Sequence, residues 1–125
     1  MPRPSAIVTE AELSVLEFLW EHGSSAVRDI SKNIYEQNTA AYHATVNSLL
    51  DQLESKDFVK RDRSGFAHVF TAKIDRSSLV GKQLQEIANS HFNGALSPIL
   101  LTLVDKITLK ASERKAIRKI IESIK

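Results

Sequence analysis

The stretch Ala40–Thr71, AAYHATVNSLLDQLESKDFVKRDRSGFAHVFT, decides the fold. Val46, Leu49, Leu50 and Leu53 recur at the spacing of one buried helical stripe, so the segment opens as an amphipathic helix. At 100° per residue, Tyr42, His43, Ala44, Asn47, Ser48 and Asp51 fall away from that stripe, most of them within the first two turns. The helix then runs into FVKRDR (58–63) and FAHVFT (66–71), which read as two short strands turning across Ser64-Gly65. A helix with one free face is thus followed at once by a basic hairpin.

Working outward, two shorter helices precede this unit. The first starts at Thr9, whose hydroxyl can cap free backbone amides, with Glu12 three residues on to complete a capping box. It ends near Gly23, with Leu13, Leu16, Phe18, Leu19 and Trp20 as its apolar face and His22 in the last turn, where positive charge suits the dipole. The second runs from Ala26 or Val27 to about Tyr35, with Ser24 or Ser25 as its cap and Val27, Ile30 and Ile34 inward; Gln37–Thr39 is a polar break. Three helices followed by a hairpin make a mainly α winged helix-turn-helix over residues 1–74. That layout presents a helix end and a basic hairpin on one side of a small domain, which suits a DNA major groove with backbone contacts beside it.

From residue 75 the character changes. A helix opening at Asp75 or Ser77 passes through Leu79, Leu84, Ile87 and Phe92 to a stop at Asn93-Gly94. A second covers about Ser97 to Lys106, with Ile99, Leu100 and Leu103 and then Ile107. A third, capped by Ser112 with Glu113 in its first turn, carries Ile117, Ile120, Ile121 and Ile124. These apolar positions, together with Leu84, Ile87 and Phe92, are denser than a 50-residue tail buries by itself, so residues 75–125 read as a helical dimerisation region rather than an intramolecular core.

Composition bounds the rest. A chain of 125 residues with 42% hydrophobic and 26% charged residues is a globular protein of one ordinary domain, or a winged helix with a helical appendage. Without cysteine there are no disulfides, thiolate zinc sites or cysteine nucleophiles. The N-terminus lacks a basic segment followed by an apolar run, and the longest apolar stretch, Ile99 to Val104, is far short of a membrane span. The expected location is the cytoplasm, with no membrane insertion. Net charge is +2, but residues 1–75 carry 8 Lys+Arg against 11 Asp+Glu, and residues 76–125 carry 9 against 4. The reading domain is the acidic half, so local placement matters: Lys56, Lys60, Arg61 and Arg63 cluster at the end of the third helix and in the wing.

Candidate DNA contacts follow from that placement. His43, Thr45, Asn47 and Ser48 can donate to phosphates or base edges, with Tyr42 and Ala44 beside them; the alternative is a solvated helix face, and Thr45 can instead pack or cap. Arg61 and Arg63 alternate and so point to one side of the wing strand, where with Lys60 they suit phosphates; the alternative is cross-strand pairing or an ion pair with Asp62 or Asp57. Phe18, Trp20, Phe58, Phe66 and Phe70 are expected in or near the core. His22, His43, His68 and His91 share no metal-ligand spacing, no nucleophile elbow or phosphate-cradling glycine loop occurs, and neither a cofactor nor an enzymatic activity is implied.

The residues resemble the penicillinase-repressor group of bacterial regulators, the BlaI/MecI type, nearly end to end. Thr9–Leu13 through Val15–Trp20 and Gly23 looks like that family's opening helix; Val27-Arg28-Asp29-Ile30 is similar to its second, and Ala44-Thr45-Val46 through Leu53 to its recognition helix. The wing and the Phe92-Asn93-Gly94 junction are similar too. The resemblance implies a homodimeric repressor on palindromic double-stranded operator DNA, held together by its C-terminal helices. Repression by the best-known members is relieved by a cut at an Asn-Phe bond, which makes a membrane sensor-protease a candidate partner; the aligned position here reads Thr102-Leu103, a departure. The copper-responsive branch uses C-terminal cysteines, which this chain lacks, and the family's glycine after the recognition helix is Asp57. The reading from a different class is a winged-helix module that dimerises and binds protein without sequence-specific DNA binding, which the net −3 of the N-terminal half supports.

Overall fold

The computed structural model describes residues 5–106 and 108–124, which leaves Ile107, one of the expected interface residues, outside it. The chain runs α1 (Glu10–His22), β1 (Ser25–Ala26), α2 (Val27–Tyr35), α3 (Ala40–Ser55), β2 (Val59–Asp62), β3 (Val69–Ala72), α4 (Arg76–His91), α5 (Ser97–Lys106) and α6 (Ala111–Ser123). It divides into two compact units between Glu86 and Ile87, within α4. None of the described helices is long and apolar enough to cross a membrane.

The first unit begins with the expected capping box. The Glu12 backbone N–H donates to Thr9 Oγ1 at 3.1 Å, and the Thr9 N–H donates back to Glu12 Oε1 at 2.9 Å. At its other end Gly23 takes φ 77°, a conformation that costs a residue with a Cβ, and its N–H closes on the Leu19 carbonyl at 2.8 Å. Neither serine caps α2. Its N-cap is Ala26, with no side-chain hydrogen bond. Ser25 and Ala26 are drawn into the sheet as β1, paired with Phe70 and Val69 of β3, and this displaces both hydroxyls from the cap position. Ser25 Oγ donates to the Gly23 carbonyl instead, and Ser24 Oγ hydrogen-bonds Thr71 Oγ1.

The helix α3 is capped by Thr39 and buries Val46, Leu49, Leu50 and Leu53, the stripe read from the sequence, against Val15, Leu16 and Leu19 of α1 and Ile30 of α2. It ends in a Schellman motif: the Phe58 N–H donates to the Leu53 carbonyl at 2.9 Å and the Asp57 N–H to the Glu54 carbonyl at 3.0 Å. Asp57 occupies the left-handed position of that motif at φ 66°, where glycine is usual. Its carboxylate pairs with Lys73 Nζ, an exposed ion pair. Asp57→Gly is therefore expected to raise stability by about 0.5–1 kcal/mol, relief of the strained backbone outweighing a surface ion pair of small worth. Thermal unfolding checks this, and an unchanged or lower midpoint counts against it.

The wing departs from its expected register. Val59, Lys60, Arg61 and Asp62 pair with Ala72, Thr71, Phe70 and Val69, so a six-residue connection, Arg63–His68, replaces a two-residue turn at Ser64-Gly65. A tight turn of that kind demands left-handed backbone at its centre, and the left-handed glycines among the described residues are Gly23 and Gly94. Register is set instead by burial: Phe58, Val59 and Phe70 join the core, whereas Phe66, expected there, is fully exposed at the tip. Trp20 is half-buried, its Nε1 donating to the Ile74 carbonyl at 2.7 Å. Asp75 caps α4 through the Ser78 N–H at 2.7 Å, and Leu79 is buried.

In the second unit, Asn93 and Gly94 both adopt left-handed backbone, at φ 52° and 88°, and end the chain's run along α4. The helix α6 starts two residues earlier than a Ser112 cap predicts: its N-cap is Lys110, without a side-chain hydrogen bond, and Ala111 and Ser112 both lie inside the helix. No described residue of α5 or α6 is buried.

Candidate nucleic-acid interface

One exposed stripe runs along α3. Ala44, Asn47, Ser48 and Asp51 follow one another at i, i+3, i+4 and i+7 and all face solvent. Asn47 and Ser48 have no side-chain hydrogen bond to other described residues. The neighbouring candidates are partly engaged: the Tyr42 ring stacks on Tyr35 with centroids 4.7 Å apart, a His43 ring nitrogen lies 3.1 Å from Asn38 Oδ1, and Thr45 Oγ1 donates to the Ala41 carbonyl at 3.1 Å. Those contacts hold the first turn of α3 against α2 and the preceding loop. The side chains free to meet another molecule are Ala44, Asn47 and Ser48.

The cations separate into two kinds. Lys56, part of the expected basic cluster, is folded inward: its Nζ lies 2.9 and 3.1 Å from the two carboxylate oxygens of Glu12 and 3.0 Å from the Ile7 carbonyl. Glu12 is itself only 1% exposed. This pair ties the C-terminal end of α3 to the N-terminal end of α1. Burial pushes the Glu12 carboxyl up, but the Thr9 N–H, Lys56 and the Thr9 hydroxyl outweigh it and the net displacement is downward.

Arg61 does not point outward with Arg63. Its guanidinium lies 2.6 Å from Asp51 and 3.5 Å from Glu54, both on α3, and 4.8 Å from the centre of the Phe70 ring. The side chain is 13% exposed, and Nε has no hydrogen-bond partner. The expected acids were Asp62 and Asp57; the observed ones sit on the helix that β2 packs against. Arg61 thus latches the wing to the exposed stripe of α3, and within the wing Lys60 and Arg63 are the exposed cations that make no ion pair with described residues. Asp62 accepts the Ser64 N–H at 2.9 Å, a contact that holds its carboxyl below the ordinary aspartate value and fixes the entry to the tip.

The candidate interface residues from α4 onward are exposed or half-buried in the single chain. Leu100, Ile120, Ile121 and Ile124 are exposed, as are Leu84 and Ile87 on α4, while Phe92, Ile99, Leu103 and Ile117 are half-buried. Leu96, Leu101 and Val104 are exposed as well, and were not among the positions expected. For Leu101 and Val104 the signal was present in the stretch Ile99 to Val104, apolar but for Thr102, whose residues point to more than one face of α5. Thr102 and Leu103 lie within α5, where Thr102 Oγ1 donates to the Pro98 carbonyl at 2.8 Å, so a cut between them requires the helix to open first.

Three helices, a short strand before α2 and a hairpin after α3 define a winged helix-turn-helix protein, here with a helical extension. The chain belongs to the penicillinase-repressor family, whose pattern it matches over residues 8–123. It is similar to the penicillinase repressor of Bacillus licheniformis, 25% identical over 118 residues that cover 94% of this chain and 91% of that one. It is also similar to the methicillin resistance regulatory protein MecI of Staphylococcus aureus, 21% identical over 114 residues, 91% and 92% of the two chains. Among solved structures, the DNA-binding domain of the repressor BlaI matches with a TM-score of 0.49 and 26% identity, covering 62% of this chain and 90% of that one.

Proposed function

We propose that this chain is a DNA-binding transcriptional repressor that acts as a homodimer on an inverted-repeat operator and blocks transcription by occupying it. The observation that carries the reading is the exposed stripe of α3 with a wing latched beside it. Ala44, Asn47 and Ser48 have the size and chemistry for base edges: a methyl against the thymine methyl, an amide matched to adenine, and a hydroxyl that serves several bases. Lys60 and Arg63 of the wing meet phosphates beside it, the α3 N-terminus adds its backbone N–H groups, and Tyr42, His43 and Thr45 shape that first turn. Arg61 positions the wing rather than binding DNA itself. Membership of a repressor family supports the reading, and at the interface itself Lys60 and Arg63 are exposed without an ion-pair partner among the described residues.

The contacts divide into two tests. Lys60→Ala and Arg63→Ala are expected to weaken binding to every duplex alike, and each should reduce the slope of log affinity against log salt by about 1, the effect of leaving one phosphate without its cation. Asn47→Ala is expected to leave the slope alone and to relax the preference at one base pair of each half-site, by about 1–3 kcal/mol. Salt titrations of the full chain against specific and random duplexes read both. Binding that is insensitive to salt, or an Asn47 variant with unchanged preference, contradicts the assignment.

A further inference from the structure

Phe66 is the most exposed large apolar side chain described, at 113% of its reference accessible area. It projects from the middle of the Arg63–His68 connection and belongs to neither the core nor the sheet. Its neighbour Gly65 is equally unexplained from within the chain. The Gly65 backbone is not left-handed, and a Cβ there would meet only the Ala67 carbonyl oxygen at 3.8 Å, an ordinary contact. Neither conformation nor packing requires glycine at 65. The missing side chain leaves one flank of Phe66 bare, open to close approach by another molecule.

The fold aims this ring. The Arg61 latch on Asp51 and Glu54 starts the wing at the C-terminal end of the stripe Ala44, Asn47, Ser48, Asp51. From Arg61 the strand continues through Asp62, and residues 63–68 bend back on themselves with Phe66 near the apex, at most about 13 Å beyond Arg61. With α3 seated in a major groove about 12 Å wide, a tip of that reach lies at the rim, next to the backbone and the adjacent minor groove. Exposed Arg63 opens the same connection, and the Ser64 N–H to Asp62 bond fixes the turn that leads to the tip.

We propose that Phe66 enters the minor groove flanking each half-site and packs its ring against sugar and base edges at a step it partly unstacks. The inference rests on the reading of α3 as the major-groove helix and adds to it a second source of sequence choice. Wedging is cheapest at flexible pyrimidine–purine steps, so the wing selects for deformability at a position that α3 does not touch.

The test uses the full chain, Phe66→Ala, Phe66→Trp and a duplex carrying the repeat selected by the unaltered chain, with 2-aminopurine at the flanking step. Because the ring contacts nothing in the free protein, Phe66→Ala should keep the thermal midpoint. It should weaken binding about tenfold, within the range for loss of an aromatic–base contact, with the salt slope unchanged. The 2-aminopurine brightening seen with the unaltered chain should disappear, along with the preference for TA or CA steps at the flank; Phe66→Trp should retain both. Unchanged affinity and brightening in Phe66→Ala, while Asn47→Ala still shifts preference, would overturn the wedge and leave the repressor reading standing. Failure of the unaltered chain to bind duplex removes both. A Phe66→Ala effect on self-association, with DNA binding intact, makes the tip a protein contact and overturns the proposal.

Discussion

A chain carrying Leu100→Glu together with Ile121→Glu is expected to sediment as a monomer and to bind a two-half-site duplex at least about 100-fold more weakly than the unaltered chain. Both side chains are substantially exposed in the single chain, at 44% and 45%, so the substitutions should cost its fold little. They lie on helices with no buried residue, beside exposed Leu101, Val104 and Ile120 and a groove between α5 and α6 lined by Leu109, Ile117 and Ile121. So much apolar surface on two short helices is what a second copy would cover. Burying four carboxylates in such an interface without partners opposes association strongly. Once the copies separate, the second winged helix no longer benefits from being tethered to the first, and operator affinity falls to that of one domain. Affinity for a single half-site should be almost unaffected. Equilibrium sedimentation and paired titrations on one-site and two-site duplexes measure this; a persistent dimer, or equal losses on both duplexes, contradicts the placement of the interface.

The second large effect concerns Lys56. Lys56→Met is expected to destabilise the first unit by about 3 kcal/mol, because it strands a carboxylate that is almost wholly buried. The capping-box bonds from Thr9 remain, which keeps the loss toward the low end for a broken buried pair. Glu12→Gln combined with Lys56→Met should recover most of it, since the neutral amide no longer needs the ammonium. The pH dependence has a definite sign. The Glu12 carboxyl is displaced downward in the folded chain, so its contribution is fully present above the unfolded glutamate value near about 4.3 and is lost as pH falls through the lower folded one. The Lys56→Met chain should lose less on acidification. Denaturant unfolding from neutral to acid pH checks both statements, and a single variant as stable as the parent would show that the pair is dispensable.

The legible parts of the fold were those written in local chemistry. Thr9 and Glu12 stand at capping-box spacing and form it, Val46 to Leu53 mark a stripe and bury it, and Asp57 takes the left-handed turn that favours glycine. What stayed hidden depends on partners distant in sequence. A two-residue strand at Ser25–Ala26 has no periodicity to read and exists because β3 needs an edge partner. The wing register follows from burial of Val59 and Phe70, which outweighs the turn preference of Ser64-Gly65. Arg61 finds Asp51 and Glu54 only once β2 lies on α3, so alternation along the strand could not reveal that its guanidinium turns inward. Phe66 shows the converse, since an aromatic at strand spacing is a core residue by default and only the six-residue tip puts it in solvent. At the candidate site, the exposure of Ala44, Asn47, Ser48, Lys60 and Arg63 was readable from helical phase and charge, whereas the division of cations into paired latches and unpaired side chains was not.

The most direct test of the repressor reading is a selection of bound sequences from a random duplex library, using the full chain at moderate salt. Recovery of an inverted repeat with half-sites about one helical turn apart is the expected result, one half-site for the α3 of each copy. Recovery of no enriched sequence, with no salt-dependent binding to any duplex, would contradict it and turn the exposed stripe of α3 into a surface for protein partners.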